Sequence, residues 1–285
     1  MLSLHTNNAA LSAQNSIAKT QSSLSTSMTR LSTGYRINSA MDDAAGLQIA
    51  SRLKAQTSGM TVAMRNTQNS TSMLQTAEGA LDEVSNMLIR MKDLATQAAD
   101  QSSTDDDKTA MQAEYDALGL ELKNVLNNTK FGGEKLLVGG TVENAMTFQI
   151  GASSDETMEI DLGDDMSSLD DAVSLVSANY SSATATVGTE LTDDASGAIG
   201  DLEDALDAVS KVRSGLGAAA NRLEHVYNNL ANISTNTKAA TGTIMDVDFA
   251  SESANMTSNQ MLLQASTAML KQSNSMSSMV MSLLQ

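Results

Sequence analysis

The sequence predicts a mostly α-helical protein. Its N- and C-terminal parts form a long antiparallel helical bundle or coiled coil, with a small β-hairpin and a short variable insertion. Three observations predict this fold class. The 285 residues include no proline, so no fixed φ angle interrupts a helix. Apolar residues recur every seven positions along two long segments, and the two chain ends share one unusual composition. Sustained heptads are typical of helices that pack at shallow angles.

The two heptad segments are the clearest helix signals. The first consists of Leu53, Met60, Thr67, Leu74, Leu81, Leu88 and Ala95. The second consists of Leu202, Val209, Leu216, Leu223 and Leu230. We expect both seams to form a core within one chain. A third helix is predicted between them, from Met111 to Val125, with turn and cap signals in the polar run at 102–107.

Both chain ends carry an apolar stripe on a nearly uncharged helix. Lys19 is the single charged side chain from Met1 to Thr29, and Lys271 is the single one from Ser253 to Gln285. A polar face of Ser, Thr, Asn and Gln suits a crowded interior, where charges would have to be desolvated. For these stripes we therefore favour an assembly surface over an intramolecular core, formed by Ile17, Leu24, Met28, Leu31, Met269, Met276, Val280, Leu283 and Leu284.

The middle of the chain changes character after Thr129. Apolar and polar residues alternate from Thr147 to Ile150 and from Met158 to Leu162, which predicts a β-hairpin at about 141–162. The following segment, about 163–198, is acidic and rich in Ser and Thr. We interpret it as a short variable insertion on the surface.

Composition excludes several function classes. The net charge of −17 argues against a nucleic-acid partner, which needs clusters of Lys and Arg, and against an anionic membrane surface. Cysteine is absent and the only histidines are His5 and His225, so no catalytic triad or zinc motif can be assembled. The acidic runs lack EF-hand spacing. We predict no enzyme activity, no metal and no cofactor.

An exported protein with this sequence would need a route that reads no cleavable signal. The N-terminal sequence MLSLHTNNAALSAQNS has no basic segment followed by an apolar one, so it does not have the features of a secretory signal peptide. No run of 18 apolar residues exists, so no membrane-spanning helix is predicted.

Several motifs resemble bacterial flagellin, the subunit of the flagellar filament. The most specific is RLSTGYRINSAMDDAAGLQIA, from Arg30 to Ala50. Further matches are QTAEGALDEV, LATQAAD and TKFGGEKLL, and in the C-terminal part LGAAANRLEHVYNNLANISTN and IMDVDFASESANMTSNQMLLQASTAML. The resemblance covers about residues 2–162 and 199–285. It suggests a minimal flagellin without large outer domains.

The resemblance implies an organisation, a location and partners. Residues 1–42 and 246–285 would form a terminal coiled-coil polymerisation region, and residues 43–245 would form a helical bundle domain with the hairpin and the insertion. The protein would be exported to the cell exterior and polymerise with copies of itself into a filament used for swimming or swarming. Expected partners are a flagellin export chaperone, the filament cap and hook-junction proteins.

The resemblance also implies a contact with a host. Some flagellins are bound by a Toll-like flagellin receptor of animals through the outer helices of the bundle. The corresponding residues here are Arg90, Leu94 and Glu114.

Two other functions fit parts of the same pattern. A hook–filament junction protein of the flagellum shares the terminal stripes. A secreted translocator could insert Met-rich amphipathic ends into a membrane. The intact motif from Arg30 to Ala50 and the resemblance along both halves of the bundle favour the filament subunit.

Overall fold

A computed structural model describes the backbone of residues 7–181 and 187–283, and the side chains of 7–180 and 187–276. Four long helices dominate it: α1 (Asn8–Thr33), α2 (Ala44–Ala98), α7 (Ala195–Met245) and α8 (Phe249–Leu283). The shorter elements are α3 (Asp105–Asn128), β1 (Lys130–Phe131), β2 (Glu134–Lys135), β3 (Met146–Gln149), β4 (Thr157–Ile160), α4 (Gly163–Val176), α5 (Ala178–Ser181) and α6 (Glu190–Asp193). The predicted mostly α-helical fold class is confirmed.

Contacts between residues group the chain into two compact units. The terminal unit comprises Met1–Thr57 and Thr235–Gln285, and the central unit comprises Ser58–Ser234. Helices α2 and α7 have residues in both units. The domain boundaries expected from the resemblance, 42/43 and 245/246, differ from the boundaries of these two units. They coincide with the breaks between α1 and α2 and between α7 and α8. That division therefore remains a prediction about how the filament is layered.

The heptad seams form the core of the central unit, as the sequence predicts. Every member of the two seams is buried except Leu53, which is half-buried and lies in the terminal unit. Helix α3 adds Tyr115, Leu122 and Leu126 to the same core. Its first turn is fixed by a capping box, in which Thr104 and Asp107 satisfy each other's backbone N–H groups.

Glycines set the turns around the two short β-ribbons. Gly132 and Gly133 have φ angles of 62° and 98° between β1 and β2, a region that side chains with a Cβ atom rarely adopt. Strands β3 and β4 pair antiparallel, with Met146 opposite Ile160 and Gln149 opposite Thr157. The hairpin lies inside the predicted range of 141–162.

The acidic segment after the hairpin contains more packed structure than its composition suggests. Helix α4 places Met166, Leu169, Val173 and Val176 in the core of the central unit. This three/four spacing is a helical signal, but it lies among Asp and Ser residues that suggest an exposed segment. The hydroxyl group of the buried Tyr115 donates to the carbonyl oxygen of Val176 at 2.7 Å. Burial raises the pKa of this phenol above its ordinary value, and the nearby Glu190 carboxylate raises it further.

Gln112 joins α3 to the segment that follows α4. Its side chain is buried and donates to Asp116 at 2.9 Å and to Glu190 at 2.7 Å. Its side-chain oxygen accepts from the backbone N–H of Leu191 at 2.8 Å. Asp116 in turn accepts from the backbone N–H of Gly188. Because a buried polar group is stable only when hydrogen-bonded, this network holds α6 against α3.

Candidate assembly surface

Helices α1 and α8 pack against each other as an antiparallel pair within the terminal unit. Asn7, at the start of α1, donates to the hydroxyl oxygen of Ser273 at 3.2 Å. Arg30, near the end of α1, lies 3.7 Å from the carboxylate of Glu252, in the first turn of α8. The N-terminal end of one helix therefore lies beside the C-terminal part of the other.

Capping defines both ends of α1. The side chain of Asn7 accepts from the backbone N–H of Ala10 at 3.1 Å, which satisfies one of the free donors at a helix N-terminus. Gly34 ends the helix with φ of 76°, and its N–H donates to the carbonyl oxygen of Arg30 at 2.9 Å. A left-handed residue at this position is a common helix stop, and glycine adopts it without strain.

The threonine hydroxyl groups on the polar face of α1 donate within their own helix. Thr20, Thr26 and Thr29 each donate a hydrogen bond to the backbone carbonyl four residues earlier, at 2.9–3.1 Å. Thr257 does the same in α8. Because these donors already have partners inside the helix, a neighbouring molecule could cover this face and leave few of them unsatisfied.

Two extended segments meet where α1 and α8 join the rest of the terminal unit. The backbone N–H of Arg36 donates to the carbonyl oxygen of Met245, and that of Val247 donates to Gly34 at 3.0 Å. The Arg36 side chain also donates to the carbonyl oxygen of Ile244 at 2.9 Å. These bonds fix where each terminal helix begins or ends relative to the other.

Asp42 stabilises the loop between α1 and α2. Its carboxylate accepts from the backbone N–H of Ser39 at 2.9 Å and from that of Asn38 at 3.1 Å. These two bonds, led by that of Ser39, hold the pKa of Asp42 below its ordinary value. The loop is therefore best ordered when this carboxyl group is ionised.

The predicted assembly residues lie on the α1–α8 pair with much of their apolar surface uncovered. Met28, Met269 and Met276 are each more than half exposed, while Ile17, Leu24 and Leu31 are half-buried. The side chains of Val280 and Leu283, and the whole of Leu284, lie outside the described residues. No large hydrophobic side chain of α1 is buried, since Ser27 is the buried residue of that helix. The apolar stripe is thus only partly covered within one chain.

One ion pair joins the C-terminal end of α1 to the N-terminal end of α8. Glu252 is only 8% exposed, although it is charged. Its partner Arg30 is 29% exposed at the side chain. Apart from Lys19, Arg30 is the first charged residue of the chain. Glu252 directly precedes the C-terminal segment, in which Lys271 is the single charged residue. The position of each residue at the border of a nearly uncharged segment is a sequence signal for this pair.

Replacing Glu252 by alanine tests the contribution of this pair. The change leaves the Arg30 guanidinium partly buried without its anion, which destabilises the α1–α8 pair by about 1–3 kcal/mol. We expect filaments of Glu252→Ala to dissociate at a lower temperature than those of the parent chain. Glu224→Ala, at an exposed position of α7, is the matched control. An unchanged dissociation temperature for Glu252→Ala would show that the pair contributes nothing to assembly.

The three residues of the expected host contact differ in exposure. Arg90 and Glu114 form an exposed ion pair between α2 and α3, with a distance of 2.7 Å. Leu94 is 3% exposed and belongs to the core of the central unit. The accessible part of the expected contact therefore consists of the Arg90 and Glu114 side chains.

Comparisons with known proteins agree with this architecture. The family model of the bacterial flagellin N-terminal helical region matches residues 4–141, and that of the C-terminal helical region matches residues 199–284. A flagellin of Halalkalibacterium halodurans is 41% identical over 90% of each chain. A flagellin of Bacillus subtilis is 37% identical over 98% of each chain.

Solved structures share this fold. A flagellar hook-associated protein of Vibrio parahaemolyticus, for example, has a TM-score of 0.55 over 72% of this chain and all of that one. Its sequence identity is 17%, so this likeness concerns the fold alone. The alternative of a junction protein is not favoured, because flagellins match at much higher identity.

Long heptad helices, with a terminal pair whose apolar stripe remains exposed, define a helical protein built for self-association. The two family models and the full-length relatives specify that class further. The chain belongs to the bacterial flagellin family. It is a structural subunit of the extracellular flagellar filament and not an enzyme. Among the described residues, no helix is both long and apolar enough to cross a membrane.

Proposed function

We propose that the chain polymerises by inserting its α1–α8 pair among the same pairs of neighbouring subunits. The observation that carries this proposal is the contrast between the two units. In the central unit both heptad seams are buried. In the terminal unit Leu11, Met28, Met261, Leu262, Met269 and Met276 remain exposed.

The energetics favour assembly over an isolated pair of helices. Each Å² of apolar surface that becomes buried stabilises the assembled state by about 25 cal/mol. The α1–α8 pair of a single chain buries little of its apolar surface. Ordering each residue costs about 1–2 kcal/mol of backbone entropy. We therefore expect residues 1–42 and 246–285, the inner layer of the filament, to become fully ordered only when neighbouring subunits cover the stripe.

The geometry of the interface determines the kind of polymer. A stripe that follows the length of two paired helices can contact neighbours on several sides. A contact between different surfaces of identical subunits that does not close produces helical filaments instead of rings. Such a filament transmits the rotation of a basal motor, which is how the chain would contribute to swimming or swarming.

Further partners follow from the same exposed surface. We propose that an export chaperone covers the apolar side of α8 before secretion, since Met261, Leu262 and Met269 would otherwise attract other apolar surfaces. The filament cap and the hook-junction proteins would contact subunits at the two ends of the polymer. A net charge of −17 keeps the free chain soluble at this stage.

A host contact is a second candidate function. We propose that the Toll-like flagellin receptor binds the central unit at Arg90 and Glu114. Both side chains are about half exposed and already held in one geometry by their ion pair. The buried Leu94 would act by packing beneath them. A fixed arginine–carboxylate pair offers a partner both donors and acceptors without a large ordering cost.

Substituting the exposed methionines tests the assembly proposal. The triple variant Met28→Ser, Met269→Ser and Met276→Ser removes apolar surface from the stripe, and the buried core of the central unit is left intact. Each loss of a buried apolar side chain costs about 1.5–3 kcal/mol of association free energy. We expect the critical concentration for elongation of short filament seeds to rise by at least about a hundredfold.

The matched control for this experiment is Leu175→Ser. Leu175 is 69% exposed but lies in the central unit, on α4. We expect this variant to elongate seeds at the parent concentration, because its side chain is not part of the stripe. Equal effects of the control and the triple variant, or normal elongation by the triple variant, would contradict the proposal.

A further inference from the structure

The exposure of methionine side chains differs between the two units. The chain has 19 methionines and no cysteine, so all of its sulfur atoms are thioethers. The methionines of the central unit are all buried or half-buried: Met60, Met64, Met73, Met87, Met91, Met111, Met146, Met158 and Met166. The exposed methionines all lie in the terminal unit, among the described side chains, and range from 54% to 96% exposed: Met28, Met41, Met261, Met269 and Met276.

We propose that these exposed methionines are sites of reversible oxidation, and that their oxidation in the free subunit blocks polymerisation. The oxidant is a two-electron oxygen donor such as hydrogen peroxide. The thioether sulfur donates an electron pair to one peroxide oxygen, so that an S–O bond forms and the O–O bond breaks. The second oxygen leaves as hydroxide and takes up the remaining proton to become water. The sulfur is thereby oxidised by two electrons to the sulfoxide.

Exposure decides which thioethers react. A side chain in solvent meets the oxidant directly, whereas a buried one reacts only when its surroundings open. Met41 lies in the loop between α1 and α2 and is almost fully exposed. Met91 and Met166, by contrast, are buried in the core of the central unit. Mild oxidation should therefore modify the terminal unit and leave the central core intact.

The polarity of the sulfoxide explains why assembly would fail. Met28, Met269 and Met276 belong to the proposed assembly stripe, where a neighbouring subunit would cover them. A sulfoxide oxygen needs a hydrogen-bond donor when it is buried. The hydroxyl groups of nearby residues such as Thr29 already donate to their own helix. An oxidised stripe would thus bury acceptors without partners, and the free subunit would be favoured.

Peroxide treatment of the full-length monomer tests this inference, which rests on the proposed assembly function. Peptide masses report which methionines are oxidised, and elongation of untreated seeds reports assembly. We expect the five exposed methionines to react at least about tenfold faster than Met91 and Met166. Elongation should fall in parallel and return after treatment with methionine sulfoxide reductases. The stripe methionines Met28, Met269 and Met276 should be protected in filaments that are already assembled.

A leucine variant separates stripe oxidation from other damage. Leucine replaces Met28, Met269 and Met276 with similar volume and no sulfur, so peroxide treatment should leave the elongation rate of this variant at its own untreated value, whatever that value is. The matched control, with leucine at the buried Met87 and Met158, should lose elongation like the parent chain. If the leucine variant does not elongate before treatment, repair of the oxidised parent chain by the reductases decides the question.

Two outcomes would overturn the inference. The first is equal oxidation of exposed and buried methionines in the monomer. The second is full elongation by a chain whose exposed methionines are oxidised. A different result, failure of the untreated parent chain to elongate seeds, would count against the proposed assembly function instead.

Discussion

Deleting either terminal helix is expected to abolish filament growth while the central unit stays folded. Removal of Met1–Arg30 takes away nearly all of α1, and removal of Met256–Gln285 takes away most of α8. Each deletion leaves the remaining helix without its antiparallel partner, and an isolated uncovered helix is marginal in water. The core of the central unit does not include these residues. Seeded elongation measures the first effect and cooperative thermal unfolding measures the second.

A full-length variant provides the control for these deletions. Lys19 is exposed on α1, so Lys19→Gln changes a charge and keeps both helices and the apolar stripe. We expect Lys19→Gln to elongate seeds like the parent chain, and both truncated chains to show no measurable elongation. Filaments of normal length grown from either truncated chain would refute the role of the terminal pair.

Leu88→Ala is expected to lower the stability of the monomer strongly. Leu88 lies on the first heptad seam with none of its surface exposed. Truncation of a fully buried leucine leaves a cavity and costs about 2–5 kcal/mol. For a unit of this size, each kcal/mol lowers the midpoint of thermal unfolding by about 2–4 °C. Calorimetry of the unpolymerised chain should therefore show a midpoint lowered by at least about 4 °C.

The neighbouring residue supplies a matched control for this substitution. Ile89 is adjacent in sequence, is also aliphatic, and is 49% exposed. Ile89→Ala should change the free energy of unfolding by no more than about 0.5 kcal/mol, because exposed positions leave no closed cavity. Similar losses for Leu88→Ala and Ile89→Ala would show that the seam does not form the core of the central unit.

The heptad residues show how much of the fold could be predicted. The spacing of Leu74, Leu81 and Leu88 follows from the period of an α-helix, which is a local property of the chain. Their burial follows because an apolar stripe of this length has to be covered. The hairpin at β3 and β4 was predictable for a similar reason, since alternation in sequence places one side of a strand inward.

The terminal stripe was predictable in composition but not in pairing. Met28 and Met269 stand out because they lie in segments with almost no charge. Nothing in the periodicity indicates that Asn7 contacts Ser273, because the two residues are 266 positions apart. The resemblance does not indicate that Leu94 is buried, since it supplies a role for this residue and no information about its exposure.

The sequence by itself determined which long segments are helical, which residues line each apolar seam and which chain ends avoid charge. These features depend on residue types and their spacing along the chain. Only the tertiary structure decided that Arg30 faces Glu252, that Gln112 holds Glu190, and that α4 packs into the core. Such contacts join residues far apart in sequence, and each forms only when the whole chain brings the two side chains within a few ångströms.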